Sequence, residues 1–243
     1  MFLHLRNALF TGALVAVLPA TAQAAAVRSH GAPNHKIGHS TSTNWSGYAV
    51  TGAGPYNGVS ASWTQPAVNC AKTRTGYSSF WVGLDGDTTK TVEQTGTEAD
   101  CSSGSPVYYA WYEMYPKFPV NYANPVSPGD SMRASVTYLG QGTFKLTLTD
   151  STTGWTQTTQ KRLKSAKLGS AEVIAEAPSS SGGVLPLADF GTAKFSGATA
   201  NGSSMASLPG LDPITMVSSS GAVEAKPSSM SSGGSFSDTW YSQ

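Results

Sequence analysis

Histidine is absent from the greater part of this sequence. The four histidines are His4, His30, His35 and His39, so residues 43–243 contain none. Serine and cysteine triads use a histidine as their general base, and HExxH zinc sites use histidine ligands. Chemistry within residues 43–243 therefore depends on carboxyl and amide groups, with a carboxyl group activating water and neutral donors stabilising an oxyanion.

Cysteine is almost as scarce. Cys70 and Cys101 are the only two cysteines, and two thiols allow a single pairing. In an oxidising compartment we expect them to form one disulfide, which removes both as nucleophiles. A structural zinc site needs more ligands than this pair supplies, so we predict no metal, and no cofactor is indicated.

Charged residues make up only 12% of the sequence, and they are unevenly placed. All 14 acidic residues lie at or after Asp85, whereas 12 of the 15 basic residues follow residue 42. Residues 43–243 therefore carry 12 basic and 14 acidic residues, a net charge of −2. No basic patch with interleaved aromatic residues remains, so we expect no binding to nucleic acid.

Apolar runs are short, and the clearest lies near the start. Arg6 precedes the apolar residues 8–18, and the small-residue pattern Ala22-Gln23-Ala24 follows them. The run is shorter than the ~20 residues that span a bilayer, and no later run approaches that length, so we expect no membrane association. We predict a signal peptide at residues 1–24 and a secreted, extracellular protein, with an uncleaved anchor as the alternative.

Residues 25–42 are polar and basic and have no hydrophobic period. This composition predicts a propeptide or a disordered leader. Its three histidines, Arg28 and Lys36 suggest the hypothesis that the leader covers an acidic groove near neutral pH. A passive linker that is trimmed by proteolysis is the alternative.

Short segments that alternate between apolar and polar residues begin near residue 44. Val59, Ala61 and Trp63 alternate with polar residues, and the pattern recurs at 132–138 and 144–148. Alternation with a period of two is typical of strands with one buried face. Turns rich in Gly, Pro, Asn and Asp separate the segments. The pattern predicts one all-β domain at residues 43–243, an antiparallel sandwich or barrel.

Four segments place aromatic, acidic and amide side chains on single strand faces. Successive side chains of a strand point to opposite faces, which sorts these residues. The selected faces carry Trp81 with Asp85, Gln94, Trp111 with Glu113, and Glu172 with Glu176. In one sheet they form an aromatic-walled groove floored by Asp85, Gln94, Glu113 and Glu176. Taken singly, such an acid is more often solvated surface and such a tryptophan more often core packing, so only their coincidence favours a groove.

Six motifs in a fixed order resemble the glutamic peptidases, or eqolisins. The motifs are NWSG at 44–47, WVGLDGD at 81–87, EQTG at 93–96, AWYEMYP at 110–116, AEVIAE at 171–176 and VLPLADFG at 184–191. The resemblance implies a concanavalin-like β-sandwich of two large antiparallel sheets. It also implies a pepstatin-insensitive acid endopeptidase that acts on proteins or peptides, and we expect a monomer.

The resemblance assigns roles to individual residues. Glu176, the second acid of its motif, and Gln94 match the catalytic dyad. Positions that line or support the family's site match Trp81, Asp85, Glu98, Trp111 and Glu113. Tyr109 and Met114 depart from the family pattern, which has an acid and often a tryptophan there. These departures bear on substrate preference and on the pKa of Glu113 but leave the dyad intact.

Two other classes of protein fit parts of the sequence. Grooves that bind sugars also pair aromatic residues with acids, so a carbohydrate-binding or glycoside-hydrolysing sandwich is the main alternative. The Ser/Gly-rich region from Ser196 fits a non-catalytic wall or adhesion module. Such a module tolerates the loss of Glu176, whereas a glutamic peptidase does not.

Overall fold

The computed structural model describes residues 33–34, 36–38 and 40–243. The predicted signal peptide, most of the predicted leader and all four histidines lie outside the described residues. Within them the chain forms nineteen strands and a short 3-10 helix at Met205–Ser207. The strands are β1 (Lys36–Gly38), β2 (Thr41–Ser42), β3 (Trp45–Thr51), β4 (Gly58–Thr64), β5 (Ser79–Leu84), β6 (Val92–Ser102), β7 (Ser105–Tyr115), β8 (Val120–Asn121), β9 (Ser131–Gly140), β10 (Thr143–Asp150), β11 (Trp155–Arg162), β12 (Ser170–Glu176), β13 (Ser179–Ser180), β14 (Gly183–Val184), β15 (Thr192–Ala200), β16 (Ser203–Ser204), β17 (Leu211–Val217), β18 (Val223–Pro227) and β19 (Phe236–Trp240).

Two large sheets account for nearly all of these strands. The site sheet has the order β17–β3–β12–β5–β6–β7–β8, and every pairing in it is antiparallel. The wide sheet has the order β1–β2–β17–β18–β19–β15–β4–β9–β10–β11. Strand β17 belongs to both, because residues 211–214 pair with β3 and residues 215–217 pair with β2 and β18. The predicted sandwich of two large antiparallel sheets is confirmed.

The hydrophobic core lies between the two sheets. Alternate residues of β4, β9 and β10 supply one side of it, as the sequence pattern predicts. Phe80 and Val82 of β5 face them from the site sheet. Trp63 Nε1 also donates a hydrogen bond across the core to Thr97 Oγ1, at 3.1 Å. Burying each large apolar side chain contributes about 1.5–3 kcal/mol, so this layer holds the sheets together.

The predicted disulfide is present between Cys70 and Cys101. It joins the loop before β5 to the end of β6, across a sequence separation of 31 residues. Closing a loop of that length contributes about 3–4 kcal/mol in the chain-entropy account. The bond therefore fixes one end of the strand that carries Gln94.

The last part of the predicted leader differs from the expectation of irregular structure. Lys36–Gly38 and Thr41–Ser42 form β1 and β2, and β2 pairs in parallel with β17. Ser42 is buried, and its Oγ accepts hydrogen bonds from the backbone N–H groups of Asn44 and Trp45. A low-hydrophobicity segment adds strands here because the edge of the wide sheet offers backbone partners. Cleavage of this segment stays a prediction.

Candidate active site

Strand register aligns the candidate residues in three rows on one face of the site sheet. The first row contains Glu176, Ser79, Glu98 and Tyr109, on β12, β5, β6 and β7. The second contains Ile174, Trp81, Gly96 and Trp111, and the third contains Glu172, Gly83, Gln94 and Glu113. Directly paired residues point to the same face of a sheet. The four strands predicted to share a polar and aromatic face therefore do share it, and we call this the site face.

Tryptophan rings bury the site face. Trp45, Trp81 and Trp111 are fully buried, and the rings of Trp45 and Trp81 meet edge to face with centroids 5.0 Å apart. These rings exclude water from the face. Polar groups on this face therefore lie in a low-dielectric setting, where electrostatic effects are strong.

Two glycines make room for the Trp81 indole. A Cβ atom on Gly83 would lie 2.8 Å from Trp81 Cζ3, and one on Gly96 would lie 2.6 Å from Trp81 Cβ. On Gly96 the same atom would also lie 2.2 Å from the Phe80 carbonyl oxygen. The ring thus rests over the third row while its Nε1 reaches Glu176 in the first. In the sequence both glycines appear only within motifs, and no local pattern signals this role.

Glu176 is a fully buried carboxyl group held by two donors. Trp81 Nε1 donates to its Oε2 at 2.8 Å, and Asn44 Nδ2 donates to its Oε1 at 3.4 Å. Burial raises the pKa of Glu176 well above its usual value, and the nearby charge of Glu113 raises it further. The two hydrogen bonds favour the ionised form but do not offset burial. The sequence alone does not reveal this burial or the raised pKa that follows from it.

Gln94 lies in the same polar cluster. Its Nε2 donates a hydrogen bond to Glu113 Oε2 at 2.9 Å. Glu113 in turn acts electrostatically on Glu176, so the amide and the two carboxyl groups form one electrostatic unit. Gln94 Oε1 is buried and has no hydrogen-bond partner within the described part of the chain. An amide group can use both its N–H₂ and its oxygen, which leaves the oxygen for a water molecule.

Glu98 and Tyr109 complete the first row. Glu98 is fully buried, and its charge is a further cause of the raised pKa of Glu176. Tyr109, where the family pattern has an acid, donates through its hydroxyl to Asp100 Oδ2 at 3.4 Å. A neutral hydroxyl in this row adds no further negative charge beside Glu98 and Glu176.

Strict alternation along β5 predicts that Asp85 lies on the groove floor, but in the structure it lies elsewhere. It follows the last residue of β5 and has a φ of 68°, so the alternation of the strand ends before it. Its carboxylate accepts backbone N–H groups of Lys167 and Leu168 at 2.9 Å and of Gly169 at 2.8 Å. Asp85 thus fixes the loop that leads into β12, the strand of Glu176.

A second group of buried acids lies at the Asp85 end of the site sheet. Burial, followed by the charge of Asp85, raises the pKa of Glu93 to about 9. Burial also raises the pKa of Glu172 well above its usual value. Glu93 precedes Gln94 on β6, so it lies on the opposite face of the strand, and it is fully buried. No residue-type signal distinguishes it from a solvated acid.

The described end of the leader runs past the site. The Pro33 carbonyl accepts a hydrogen bond from Asn44 Nδ2 at 3.4 Å, and the same amide contacts Glu176. Asn34 donates through its backbone N–H to the Gly86 carbonyl at 3.1 Å. Lys36 Nζ forms an ion pair with Asp87 Oδ2 at 2.7 Å. These contacts join the leader to the motif that begins at Trp81.

Neither a metal cluster nor a membrane span is found among the described residues. No group of three or more His, Cys, Asp or Glu side chains there has an arrangement that could hold a metal ion. No described helix is long and apolar enough to cross a membrane.

Comparison with known proteins gives a consistent family. The model of the Peptidase A4 family matches residues 43–239. Aspergillopepsin-2 of Aspergillus niger is 31% identical over 182 residues, which cover 65% of this chain and 64% of that protein. Scytalidopepsin B of Scytalidium lignicola is 35% identical over 114 residues, 46% of this chain and 42% of that protein. The matches thus span less than two thirds of either relative.

A solved structure agrees with the sequence relatives. The crystal structure of scytalido-glutamic peptidase with a transition state analogue inhibitor has a TM-score of 0.70 and 26% identity, covering 82% of this chain and 98% of that one. The chain therefore belongs to the Peptidase A4 family, the glutamic peptidases whose motifs its sequence resembles.

Proposed function

We propose that this chain is a secreted acid endopeptidase that cleaves proteins with Glu176 and Gln94 as its catalytic dyad. The observation that supports the dyad is the polar cluster in which Gln94 binds Glu113 and Glu113 acts on the buried Glu176. The peptidase relatives support the reaction class. A histidine-free site suits work in acid, where histidine would be protonated and useless as a base.

Glu176 is the general base and then the general acid of the proposed reaction. As a carboxylate it takes a proton from water while the water oxygen attacks the scissile carbonyl carbon. The same proton then passes to the leaving nitrogen as the C–N bond breaks, which returns Glu176 to its carboxylate form. A raised pKa makes the ionised group a stronger base. Trp81 and Asn44 hold both carboxyl oxygens in place.

Gln94 stabilises the tetrahedral intermediate. One N–H of its amide is directed to Glu113, and the second donates to the developing oxyanion. Its Oε1 accepts a hydrogen bond from the attacking water. A single oxyanion donor is typically worth about 3–4 kcal/mol of barrier.

Acid conditions suit this cluster because three carboxyl groups lie close together. Glu98 and Glu113 both raise the pKa of Glu176, so simultaneous ionisation of all three is costly. Protonation in acid removes this repulsion, and the catalytic carboxylate is then the minor ionised form of a cluster that is otherwise neutral. The titration then belongs to the cluster as a whole.

The test is proteolysis by the purified protein from about pH 3 to pH 7, a range that begins below the ordinary pKa of a glutamate and extends above it. We expect the chain to cleave an unfolded protein substrate, and we expect pepstatin not to inhibit this cleavage. The same preparation is incubated with insoluble polysaccharides, which tests the carbohydrate alternative. Retention on polysaccharide without proteolysis would overturn the proposal. The Glu224→Gln variant is the control for the loss of an acid outside the site, and it should keep full proteolysis. This half-buried acid lies on β18, outside the site sheet.

The role of the leader is tested with the purified precursor at graded pH. Its contacts with Asn44, Gly86 and Asp87 favour a leader that covers the site over a passive linker. We expect the precursor to trim its own leader in acid and to gain activity. A precursor that is fully active before trimming contradicts a covering role.

A further inference from the structure

A groove separate from the active site lies where the edges of the two sheets meet. It has a volume of about 250 Å³ and lies between the turn that joins β7 to β8 and the end of β11. Tyr112 and Met114 of β7 line it, together with Phe118 and Val120. Tyr112 and Met114 alternate with Glu113, so the groove lies behind the site face of the same strand.

The apolar wall of this groove is unusually open to solvent. Phe118 is 71% exposed and Val120 is 46% exposed. Phe118 is the most exposed large apolar residue in the part of the chain that the structure describes. Apolar side chains grouped around a concave site mark contact surfaces more often than singly scattered ones do.

Three cations surround the same groove. Lys117, Lys161 and Arg162 line it, and no acidic residue does. Lys161 Nζ lies 5.8 Å from the centre of the Tyr112 ring. Arg162 donates through Nε to the Gln141 carbonyl, which leaves its two terminal nitrogens for a carboxylate.

Charge separation across the whole molecule favours an acidic occupant. Of the 14 acidic residues, 12 are buried, and Asp212 and Glu224 are half-buried. Of the 12 basic residues in 43–243, all but the half-buried Lys145 are exposed. The net charge of −2 for this region therefore hides a cationic surface, and acidic partners are attracted to it.

We infer that this groove binds an acidic polypeptide segment that carries an apolar side chain. The apolar wall receives the side chain, and the three cations meet the neighbouring carboxylates. Aliphatic lining by Met114 and Val120 and a volume suited to one side chain favour polypeptide over a run of nucleic-acid bases. Taking the segment as part of the cleaved protein rests on the proposed function, and the groove then acts as a second contact for substrates.

Binding is measured by calorimetry at about pH 5, where aspartates are largely ionised. The probe is the peptide Ac-Asp-Phe-Asp-Phe-Asp-amide, and its matched control has Asn in place of each Asp. The protein is the full chain with Glu176→Gln, and mass spectrometry checks that the peptide stays intact. We expect the acidic peptide to bind at least about tenfold more tightly than the neutral one.

Two double variants locate the binding. The double variant Lys161→Glu with Arg162→Glu should lower the affinity for the acidic peptide at least about tenfold. Arg133→Glu with Lys194→Glu makes the same charge change at exposed sites on the wide sheet and should change the affinity less than about twofold. Phe118→Ala should also weaken binding, with an unchanged melting temperature. Equal losses in both double variants, or tighter binding of a thymidine oligonucleotide, overturn the inference.

Turnover then separates this inference from the proposed function. In the otherwise unchanged chain, the Lys161/Arg162 variant should raise KM for an acidic unfolded protein about fivefold and leave cleavage of a short neutral peptide unchanged. A chain that cleaves nothing refutes the proposed function, while the peptide titration still decides the groove. A chain that cleaves both substrates with unchanged KM refutes the groove as a substrate contact.

Discussion

Each sheet has a row of polar or small residues that pair directly across neighbouring strands. One row is exposed to water and the other is buried. On the wide sheet Ser60, Ser135, Thr147 and Thr158 lie side by side on the outer face, exposed or half-exposed. On the site sheet Glu172, Gly83, Gln94 and Glu113 lie side by side, and all are buried. The first row is hydrated, so its hydroxyls are ordinary surface. The second has tryptophans in place of water, and burial raises the pKa of its Glu172 well above the usual value.

The difference shows that the period of a strand and the environment of its face are separate properties. Alternation assigns a residue to a face, but only the neighbouring large side chains decide whether that face is dry. On the site face the rings of Trp45, Trp81 and Trp111 exclude water. Matched substitutions on the two sheets test this difference.

Apart from the loss of Glu176 itself, the largest effect is expected from Gln94→Ala. Loss of the oxyanion donor should lower kcat about 10²–10³-fold, with little change in the melting temperature. Gln160→Ala, an exposed glutamine on β11, is the matched control and should keep full activity. Steady-state kinetics at acid pH measures both, and a Gln94→Ala variant with near-normal kcat would falsify the assignment.

Gly96→Ala should destabilise the fold by at least about 3 kcal/mol, because the added atom overlaps backbone that cannot retreat. The Cβ would lie 2.2 Å from the Phe80 carbonyl oxygen. Gly58→Ala on the wide sheet is the control, since its Cβ meets only the Val136 carbonyl oxygen at 3.7 Å. Urea unfolding compares the two variants, and equal losses contradict the proposed crowding under Trp81.

Stability should fall as pH rises, because Glu93 is protonated in the folded chain and ionises on unfolding. The ordinary pKa of 4.5 rises to about 9 in the fold, so the unfolded chain binds fewer protons between these values. Each such group lowers stability by up to about 1.4 kcal/mol per pH unit in that window. Melting temperatures from acid to alkaline pH should decline less steeply in Glu93→Gln than in the unchanged chain.

Asp150 on the wide sheet should make stability change with pH in the opposite direction. Burial raises its pKa, but hydrogen bonds from the Thr153 hydroxyl and the backbone N–H groups of Thr152 and Thr153 outweigh burial and leave the pKa lowered. Its stabilisation is present above the ordinary pKa and is lost as pH falls through the lowered value. Asp150→Asn should therefore cost stability at neutral pH and less in strong acid. If Glu93→Gln and Asp150→Asn changed the pH dependence of stability in the same direction, the contrast would be refuted.

The smallest effect is expected in the hydrated row. Thr147→Ala removes a hydroxyl that lies 3.4 Å from that of Thr158 on an open face. The free energy of unfolding should change by no more than about 0.5 kcal/mol. Denaturant titration measures it, and a loss above that size would show that the outer face is more than solvated surface.

Sequence reasoning reached the strands and faces because these depend on local alternation. It placed Gln94, Trp111, Glu113 and Glu176 on one face and paired Cys70 with Cys101, and the structure agrees. It missed features that depend on contacts across the fold. The backbone contacts of Asp85 require the loop at 167–169. The burial of Glu93 and the cationic surface appear only in the folded chain.

The leader shows a related limit. Its composition predicts no regular structure, yet β2 pairs with β17, a strand about 170 residues later in the chain. A two-residue strand has no detectable period, so only the partner edge can reveal it. The resemblance to a family supplied the dyad, because no physical pattern in the sequence singles out Glu176 over Glu172.

The most direct test of the dyad is the acid proteolysis rate of Glu176→Gln, which keeps the shape of the side chain and removes its ability to accept and return a proton. The account predicts a fall in kcat of at least about 10³-fold with an unchanged or higher melting temperature, since a buried carboxyl group is removed. A folded Glu176→Gln chain that keeps a tenth or more of the activity would contradict it.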